Sequence, residues 1–306
     1  MRARPNFFLV GAPKCGTTAL YEQLSAHPQV FVSRPKEPHY FAHDLPGWNR
    51  GAPYRESLEG YLRLFRRAGP EHRAVGEGSV WYLFSAAAAP AIRAFDPGAR
   101  LIAMLRNPVE MAQALHGQLL LTLHEDCGEF REAWRRQEAR RQGRMIPRTC
   151  TEPRVLQYRE ACSLGAQSRR LLDAFPREQV LFLLLDDLAA EPRAAYERTL
   201  AFLGVESDGR REFPRVNESE ALRSRALARL ARGLRFEPWI RLKRRLGLPA
   251  RAWLAIPRRV YRRRAPREPL DAGFRAELAE AFREEVLALQ ALLDRDLGRW
   301  LGPGPE

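Results

Sequence analysis

A short apolar segment followed by a glycine-rich loop constrains the fold of this chain more than any other feature. Phe7–Val10 has the composition of a buried β-strand, Gly11–Thr17 contains both Gly and Pro, and Ala19–Ala26 has the pattern of a helix. The backbone N–H groups of such a loop and the N-terminus of the following helix can together bind an anion. The sequence therefore predicts a strand, an anion-binding loop and a helix in direct succession.

The spacing of the two loop glycines, Gly11-x4-Gly16, matches that of a nucleotide-binding P-loop. A Walker P-loop then has a lysine directly after the second glycine. In this chain Thr17 and Thr18 follow, and the lysine lies two positions before the glycine, at Lys14. Lys14 would therefore approach a bound phosphate from a different side than a Walker lysine does.

Strand and helix patterns alternate along the rest of the chain. The predicted strands are Phe7–Val10, Val30–Val32, Val75–Gly78, Leu101–Leu105 and Val180–Leu185, and the predicted helices are Ala19–Ala26, Tyr61–Phe65, Glu110–Leu123, Tyr158–Phe175 and Arg193–Leu203. Apolar residues from Phe274 to Trp300, spaced by three and four, predict one long amphipathic helix. This order is typical of an α/β fold with a P-loop-like central parallel sheet and helices on both faces. We expect residues 1–306 to form a single domain.

The composition excludes several classes of protein. Hydrophobic residues make up 45% of the 306 residues and charged residues 29%, which is typical of a globular protein and not of a disordered chain. No apolar run approaches the roughly 20 residues of a membrane span, and Phe7–Val10 is too short for a signal-peptide core. The four cysteines form no Cys-x-x-Cys pair. We therefore predict a cytoplasmic protein with reduced thiols.

The net charge of +14 is concentrated in one segment. Residues 223–267 contain 16 basic residues and one acidic residue, which leaves 35 basic and 36 acidic residues in the remainder. We interpret this segment as a basic amphipathic insertion. It could contact an anionic membrane surface, attract an anionic acceptor, or form a solvated helical face. Because the segment contains no recognised nucleic-acid-binding motif, we do not expect a nucleic-acid partner.

The loop sequence Gly11-Ala-Pro-Lys-Cys-Gly-Thr-Thr18 resembles the 5′-phosphosulfate loop of sulfotransferases that use 3′-phosphoadenosine 5′-phosphosulfate (PAPS). The chain is most similar to the Golgi and heparan-sulfate branch of that family and its bacterial relatives. The similarity continues at Lys36-Glu-Pro-His-Tyr-Phe41, and it reappears at Leu101–Pro108, at Phe175–Leu188 and in the Asp294–Trp300 ending. It is weakest at about 120–155 and 225–270.

The resemblance implies an enzyme that transfers a sulfuryl group from PAPS to an acceptor hydroxyl of a carbohydrate, a lipid or a natural product, and that releases the product PAP. Negative charge develops on the leaving group during such a transfer, and a nearby cation stabilises it. Lys14 is our candidate for that cation, so no metal ion is required. The residues assigned to the donor are Pro13, Lys14, Cys15, Gly16, Thr17, Thr18 and Arg106, and also Arg223 or Arg225 in a late loop. Arg106 corresponds to the family arginine that contacts the 3′-phosphate.

The attacking hydroxyl must lose a proton, and this requires a base. The resemblance assigns Glu37 as the general base, and His39 is the alternative. Glu77, Ser79 and Trp81 are predicted to contact the acceptor.

The chain departs from the family at two positions that bear on the site. Ala114 lies where the family has a serine on the 3′-phosphate, so either Gln113 or Gln118 replaces that serine, or the 3′-phosphate is held more weakly, or nearby residues compensate. Gly78 lies where heparan-sulfate relatives have a lysine.

Two other functions fit parts of the sequence. The first is a P-loop kinase that uses ATP, favoured by Asp186-Asp187 after the strongest predicted strand. The second is a non-catalytic basic module that binds anions or membranes on a degenerate sulfotransferase fold, favoured by Ala114 and Gly78.

Overall fold

A five-stranded parallel sheet lies at the centre of the computed structural model, which describes residues 4–48, 51–214, 220–224, 226–228, 230, 260, 262–264 and 268–302. The strand order is β2-β3-β1-β4-β5. The strands are β1 Phe7–Gly11, β2 Val30–Val32, β3 Ala74–Gly78, β4 Arg100–Leu105 and β5 Val180–Leu184. All four neighbouring pairs are parallel. The predicted α/β fold is therefore confirmed, with every predicted strand present to within one residue at each end.

The first strand lies in the middle of the sheet and is completely covered. Every residue of β1 is buried, and Phe8 lies opposite Glu77 of β3 on one side and Leu101 of β4 on the other. Strands buried on both faces need apolar side chains on both faces, which explains the continuous apolar run that the sequence has there. Because parallel strands require crossover connections, the segments between them are helical.

The helices cover this sheet. They are α1 Thr17–Ser25, α2 Pro53–Glu56, α3 Leu58–Leu62, α4 Ala88–Phe95, α5 Pro108–Leu121, α6 Phe130–Arg135, α7 Gln137–Arg141, α8 Tyr158–Ala161, α9 Leu164–Ala174, α10 Leu185–Ala190, α11 Pro192–Leu203, α12 Ala272–Ala281 and α13 Arg283–Leu293. Short 3-10 helices occupy Arg63–Phe65, Pro153–Leu156, Arg177–Gln179 and Gly298–Leu301. Among the described residues, no helix has the length and apolar character needed to cross a bilayer.

Two long predicted helices are wrong as single elements. The C-terminal pattern forms α12 and α13, separated at Phe282, followed by a 3-10 helix. The apolar face itself is present, because Phe282 is fully buried and its ring packs on Trp134 at 5.7 Å. The predicted helix Tyr158–Phe175 is likewise divided, between Ala161 and Leu164, into α8 and α9. Apolar spacing continues across both breaks, so the pattern alone does not reveal them.

The carboxyl ends of all five strands lie at one edge of the sheet, because the strands are parallel. Open α/β sheets bind ligands outside this edge. The loop after β1 contains Lys14, the segment after β2 contains Glu37, and Arg106 follows β4. The sequence-predicted residues therefore lie at the edge where such folds have their binding sites.

The ends of the predicted basic insertion lie side by side. Strand β6, Glu220–Leu222, pairs antiparallel with β7, Arg262–Arg264, and Leu222 lies opposite Arg262. Strand β6 also lies against α5. Most of 223–267, including Arg225, lies outside the described residues, and the proposed contacts of this segment with a membrane or an anionic acceptor stay predictions.

Candidate functional site

The loop after β1 has the backbone conformation of an anion-binding turn. Gly16 has φ 84°, in the left-handed region, and helix α1 starts directly after it at Thr17. A Cβ atom at Gly16 would lie 2.7 Å from Cδ1 of Leu185, so both the conformation and the packing require glycine. Thr17 and Thr18 therefore begin the helix at the end of this loop, where the N–H groups of Ala19 and Leu20 donate to the carbonyl of Gly16.

Lys14 connects this loop to helix α5. Its Nζ lies 3.1 Å from Oε1 of Gln118, and its backbone carbonyl accepts a hydrogen bond of 3.3 Å from Nη1 of Arg106. Of the two glutamines expected to replace the family serine, Gln118 is thus the one beside the loop. Gln113 donates instead to the carbonyl of Glu268, at 2.7 Å. Ala114 is buried, 2% exposed.

Cys15 supports the loop from inside. Its side chain is fully buried, and its Sγ lies 3.5 Å from the carbonyl oxygen of Pro13. Burial raises the pKa of Cys15 to about 12, although Arg106 and Lys14 oppose the shift. The thiol is therefore neutral at physiological pH, and any anion contact by Cys15 would come from its backbone.

Arg106 lies between the loop and helix α5. Its Nη2 forms a 2.6 Å ion pair with Glu110, and its side chain is 14% exposed. This ion pair does not exclude a phosphate contact. The guanidinium has five N–H donors, enough for Glu110, for the carbonyl of Lys14 and for a ligand.

The segment after β2 brings three polar side chains together. Nζ of Lys36 lies 3.3 Å from Oγ1 of Thr18 and 3.2 Å from Oε1 of Glu37. Nε2 of His39 lies 3.6 Å from Oε2 of Glu37. The structure therefore places both candidate bases next to each other, and Lys36 connects Glu37 with the anion-binding loop.

The two candidate bases have opposite properties. Burial would raise the pKa of Glu37, but the interaction with His39 and the positive charge of Lys36 outweigh it and hold the pKa at about 2. Burial lowers the pKa of His39 below its usual range, although the neighbouring carboxylate opposes that shift. At neutral pH the pair therefore consists of an ionised Glu37 and an uncharged His39.

The backbone of this segment is strained. Glu37 has φ 62° and His39 has φ 53°, in the left-handed region, which costs a non-glycine residue roughly 1–2 kcal/mol. Three amides hold the strained segment in place. The N–H of Glu37 donates to the carbonyl of Gly78 at 3.0 Å, that of His39 to Oγ of Ser79 at 3.0 Å, and that of Phe41 to the hydroxyl of Tyr82 at 3.2 Å. Strain of this kind persists where the surrounding structure enforces it, often at functional sites.

Glu77, at the end of β3, lies beneath this segment. Oε1 accepts hydrogen bonds from the hydroxyls of Tyr82 at 2.6 Å and Tyr61 at 3.2 Å, and Oε2 accepts one from Ser79 at 2.7 Å. Burial raises the pKa of Glu77 to about 7, although these three hydrogen bonds oppose the shift. Glu77 and Ser79 are both 0% exposed. A contact between either of them and an acceptor would therefore require the cover over them to open.

Trp81, the third predicted acceptor residue, belongs to an aromatic cluster beside His39. Its ring stacks on Trp48 at 5.9 Å, and Trp48 in turn lies 5.8 Å from His39 and 5.3 Å from His124. Nδ1 of His39 and Nε1 of Trp48 are both buried without a hydrogen-bond partner. Trp81 itself is 5% exposed. Its contact with an acceptor stays a prediction.

The structure shows what occupies the space beside Gly78. A Cβ atom at Gly78 would lie 2.9 Å from the ring of Tyr21. The same ring has Nζ of Lys36 5.6 Å from its centroid. The space beside Gly78 is thus filled by Tyr21, and the nearby cation comes from Lys36.

The remaining candidates lie elsewhere. Asp186 accepts from Arg299 at 2.8 Å and from Nε1 of Trp300 at 3.1 Å, and Asp187 pairs with Arg295. These contacts connect α10 to the C-terminal segment. Asp186 and Asp187 therefore have a structural role, and a magnesium site of a kinase is not needed to explain them. Arg223 is exposed just after β6.

Sequence reasoning missed the tyrosines of the site. Tyr61 and Tyr82 are both buried and look like core aromatic residues in the sequence. The sequence contained one signal for this network. Glu77 is an acidic residue inside a predicted strand, and Tyr82 follows it by five residues.

Fold and site together define a P-loop-like α/β protein whose anion-binding loop faces a carboxylate–lysine pair. The model of a protein family described as the sulfotransferase family matches residues 5–209. The chain belongs to that family.

Individual proteins are similar over most of the chain. Carbohydrate sulfotransferase 15 of Homo sapiens is 29% identical over 279 residues, covering 76% of this chain and 48% of its own length. The human bifunctional heparan sulfate N-deacetylase/N-sulfotransferase 3 is 28% identical over 223 residues, 71% of this chain and 23% of its own. The chain thus spans about half, or less, of the curated relatives it matches. A solved sulfotransferase from Alicyclobacillus acidocaldarius has a TM-score of 0.70 at 29% identity, covering 97% of this chain and 99% of that one.

Proposed function

We propose that this protein transfers a sulfuryl group from PAPS to a hydroxyl of a carbohydrate acceptor. One observation carries the proposal. Nζ of Lys36 contacts both Thr18, in the proposed phosphate-binding segment, and the ionised carboxylate of Glu37, so the two groups lie on either side of one ammonium group. A group transfer from a phosphosulfate to a hydroxyl needs both elements at this distance.

The residues after β1 fit the donor. Gly16, with its left-handed backbone, ends the loop, and Thr17 and Thr18 begin helix α1. Lys14 supplies a compact positive charge. PAPS, when bound, would supply the activated sulfuryl group. Lys14 would stabilise the charge that develops on the leaving phosphate oxygen. Arg106 would contact the 3′-phosphate from the end of β4.

Glu37 would act as the general base. It is ionised at neutral pH and is therefore ready to accept the proton of an attacking hydroxyl. A carboxylate with a pKa of about 2 is, however, a weak base. An anion bound beside Thr18 would compete with Glu37 for Lys36, and loss of that ion pair would raise the basicity of Glu37. Donor binding would in this way activate the base.

His39 would support Glu37 as an uncharged neighbour. Its Nδ1, buried and without a partner, can accept a hydrogen bond from an acceptor hydroxyl that reaches this point. Beside it, the rings of Trp48 and Trp81 stack on each other, and a sugar ring would have to displace part of this cover to contact Trp81, which is 5% exposed. A cytoplasmic location stays part of the proposal.

The experiment has two stages. The first is calorimetric binding of PAP, AMP and ATP, each with and without magnesium, to the wild-type chain. We expect magnesium-independent binding of PAP that is at least about tenfold tighter than that of AMP, because only PAP has a 3′-phosphate for Arg106. The second stage measures transfer of radiolabelled sulfate from PAPS to a desulfated heparan oligosaccharide, an alkyl glycoside and a phenol.

The outcomes separate the candidate functions. Transfer to the oligosaccharide or to the alkyl glycoside, both of which offer sugar hydroxyls, supports the proposal, whereas transfer only to the phenol would keep the donor and overturn the acceptor. A preference for ATP with magnesium would favour a kinase. A chain that binds none of the nucleotides would be a non-catalytic module.

A further inference from the structure

The carboxyl group of Glu77 has a second effect, through the hydroxyls that donate to it. Ser79 has one hydroxyl hydrogen, and it lies on the 2.7 Å bond to Oε2 of Glu77. The oxygen of Ser79 can then only accept, and what it accepts is the N–H of His39 at 3.0 Å. Glu77 therefore determines the direction of the Ser79–His39 bond.

Tyr82 repeats this arrangement at the amide of Phe41, two residues after His39. Its hydroxyl donates to Oε1 of Glu77 at 2.6 Å and accepts from the N–H of Phe41 at 3.2 Å. One buried carboxylate thus orients two hydroxyls toward two amides of the strained segment. The third amide, that of Glu37, is held by the carbonyl of Gly78, which is the residue next to Glu77.

We propose that Glu77 is a positioning residue that fixes the place of the general base, acting through Ser79 and Tyr82 on the backbone of residues 37–41. The proposal rests on the proposed function, in which Glu37 is that base. Residues 37 and 39 have left-handed backbone that other conformations would relieve. Without the two oriented hydroxyls, the segment would relax, and the carboxylate of Glu37 would leave its position beside Lys36.

The structure contains a matched control for this idea. Tyr61 donates to the same carboxyl oxygen, at 3.2 Å, and is equally buried. Among the contacts of the described residues, its hydroxyl accepts from no amide of the 37–41 segment. Tyr61→Phe therefore removes a donor from Glu77 without removing an anchor, whereas Tyr82→Phe removes both.

The first test is amide hydrogen exchange of the full chain, followed by mass spectrometry of peptides that cover residues 36–42. The variants are Glu77→Gln, Tyr82→Phe and Tyr61→Phe. In Glu77→Gln, the amide nitrogen brings donors to hydroxyls that need an acceptor, so at least one hydroxyl must turn. We expect exchange in this peptide to become about tenfold faster or more in Glu77→Gln and Tyr82→Phe, and less than about threefold faster in Tyr61→Phe.

The second test is kinetic, with PAPS and the best acceptor among the three probes named above. Glu77→Gln and Tyr82→Phe should lower kcat by about tenfold to 100-fold, while the KM for PAPS and the calorimetric affinity for PAP stay within about twofold of wild type. A merely destabilised protein would lose donor binding together with kcat.

Clear results would overturn the inference. Equal exchange in Tyr82→Phe and Tyr61→Phe would show that the hydroxyl of Tyr82 anchors nothing. Unchanged exchange in Glu77→Gln would show that the hydroxyls keep their directions without the carboxylate. If the wild type turned over no PAPS, the proposed function would fail, but the exchange experiment would still decide whether Glu77 positions the segment.

Discussion

At the scale of single residues, the site contains two glutamates whose environments push their pKa values in opposite directions. Glu37 has Lys36 and His39 beside it, which outweigh burial and hold its pKa at about 2. Glu77 has only neutral hydroxyls in contact and is fully buried, and its pKa rises to about 7. Two carboxyl groups whose pKa values differ in this way commonly have different roles in one site.

The pH dependence of stability should report the buried glutamate. Because the folded-state pKa of Glu77 lies above its unfolded value of about 4.5, its contribution to stability is full below that value and is lost as pH rises through about 7. The charged or titratable groups that face Glu77 are Glu37, Tyr61, Tyr82 and Tyr21. Between pH 4.5 and pH 8, the wild type should lose about 3 kcal/mol of unfolding free energy relative to Glu77→Gln.

Urea unfolding of both proteins across this range would measure that difference. Glu37 does not change the difference in unfolding free energy between pH 4.5 and pH 8. Because its pKa is lowered to about 2, its contribution to stability is lost only as pH falls from about 4.5 toward 2. Parallel stability curves for the two proteins would contradict the raised pKa of Glu77.

The choice between the two candidate bases is also a question for single residues. Glu37→Gln should lower kcat by about 100-fold or more, because the amide cannot accept a proton, while the affinity for PAP does not fall, because Lys36 is released from its ion pair with Glu37. His39→Asn should have a smaller effect on kcat. Steady-state kinetics together with PAP calorimetry would test both variants, and a larger loss in His39→Asn would transfer the role of base to His39.

At the scale of elements, the donor side depends on how β4 runs into α5. Asn107 caps the helix by accepting the N–H of Val109, and Pro108 occupies its first turn. The cap fixes the helix start next to Arg106, whose guanidinium pairs with Glu110 one turn later. The direction of the strand and the ion pair together point Arg106 at the loop that contains Lys14.

Substitution of Arg106 should distinguish the binding of the donor's 3′-phosphate from the binding of its 5′-phosphate. We expect Arg106→Ala to weaken PAP binding by about tenfold to 100-fold and AMP binding by much less, because AMP lacks the 3′-phosphate. Calorimetry with both nucleotides measures the difference, and Arg93→Ala, on α4, is a suitable control. An equal loss for both nucleotides would indicate that Arg106 supports the loop and does not contact the 3′-phosphate.

The elements also show what a sequence can and cannot predict. Strands β1, β2, β4 and β5 were predictable because buried parallel strands are short apolar runs. Strand β3 was also predicted, although it contains Glu77 and two glycines. The break at Phe282 was not, because an apolar residue with the correct spacing continues the helical pattern through it. In the site, Lys14, Glu37 and Arg106 were predictable from motifs after strands. The Glu77 network was not, because it depends on hydroxyls from residues 61, 79 and 82 meeting in space.

At the scale of the whole molecule, a buried ion pair holds together the segment that follows α5. Arg140 and Glu125 form a bidentate contact at 2.7 Å, and both side chains are 0% exposed. Tyr158 and the amide of Cys127 also donate to Glu125. Glu125, which follows α5, is thereby connected to Arg140 of α7 and to Tyr158 of α8.

Breaking this pair should therefore affect stability and spare the chemistry. Glu125→Ala leaves the guanidinium of Arg140 buried without its carboxylate, and we expect a loss of roughly 3–5 kcal/mol of unfolding free energy. Urea unfolding would measure the loss, and PAP calorimetry below the unfolding transition should show unchanged affinity. A loss under about 1 kcal/mol would mean that water or another group replaces the carboxylate.

The pairing of β6 with β7 has a consequence for how this protein can change its length. Since Leu222 lies opposite Arg262, the 39 residues from 223 to 261 connect two neighbouring strand ends. In terms of polymer entropy, closing such a loop instead of a two-residue turn costs only about 2–3 kcal/mol, and each doubling of its length adds about 0.6 kcal/mol. Insertion and deletion at this point are therefore thermodynamically inexpensive. A change in the number of residues between β6 and β7 should therefore leave the pairing of these two strands and the parallel sheet in place.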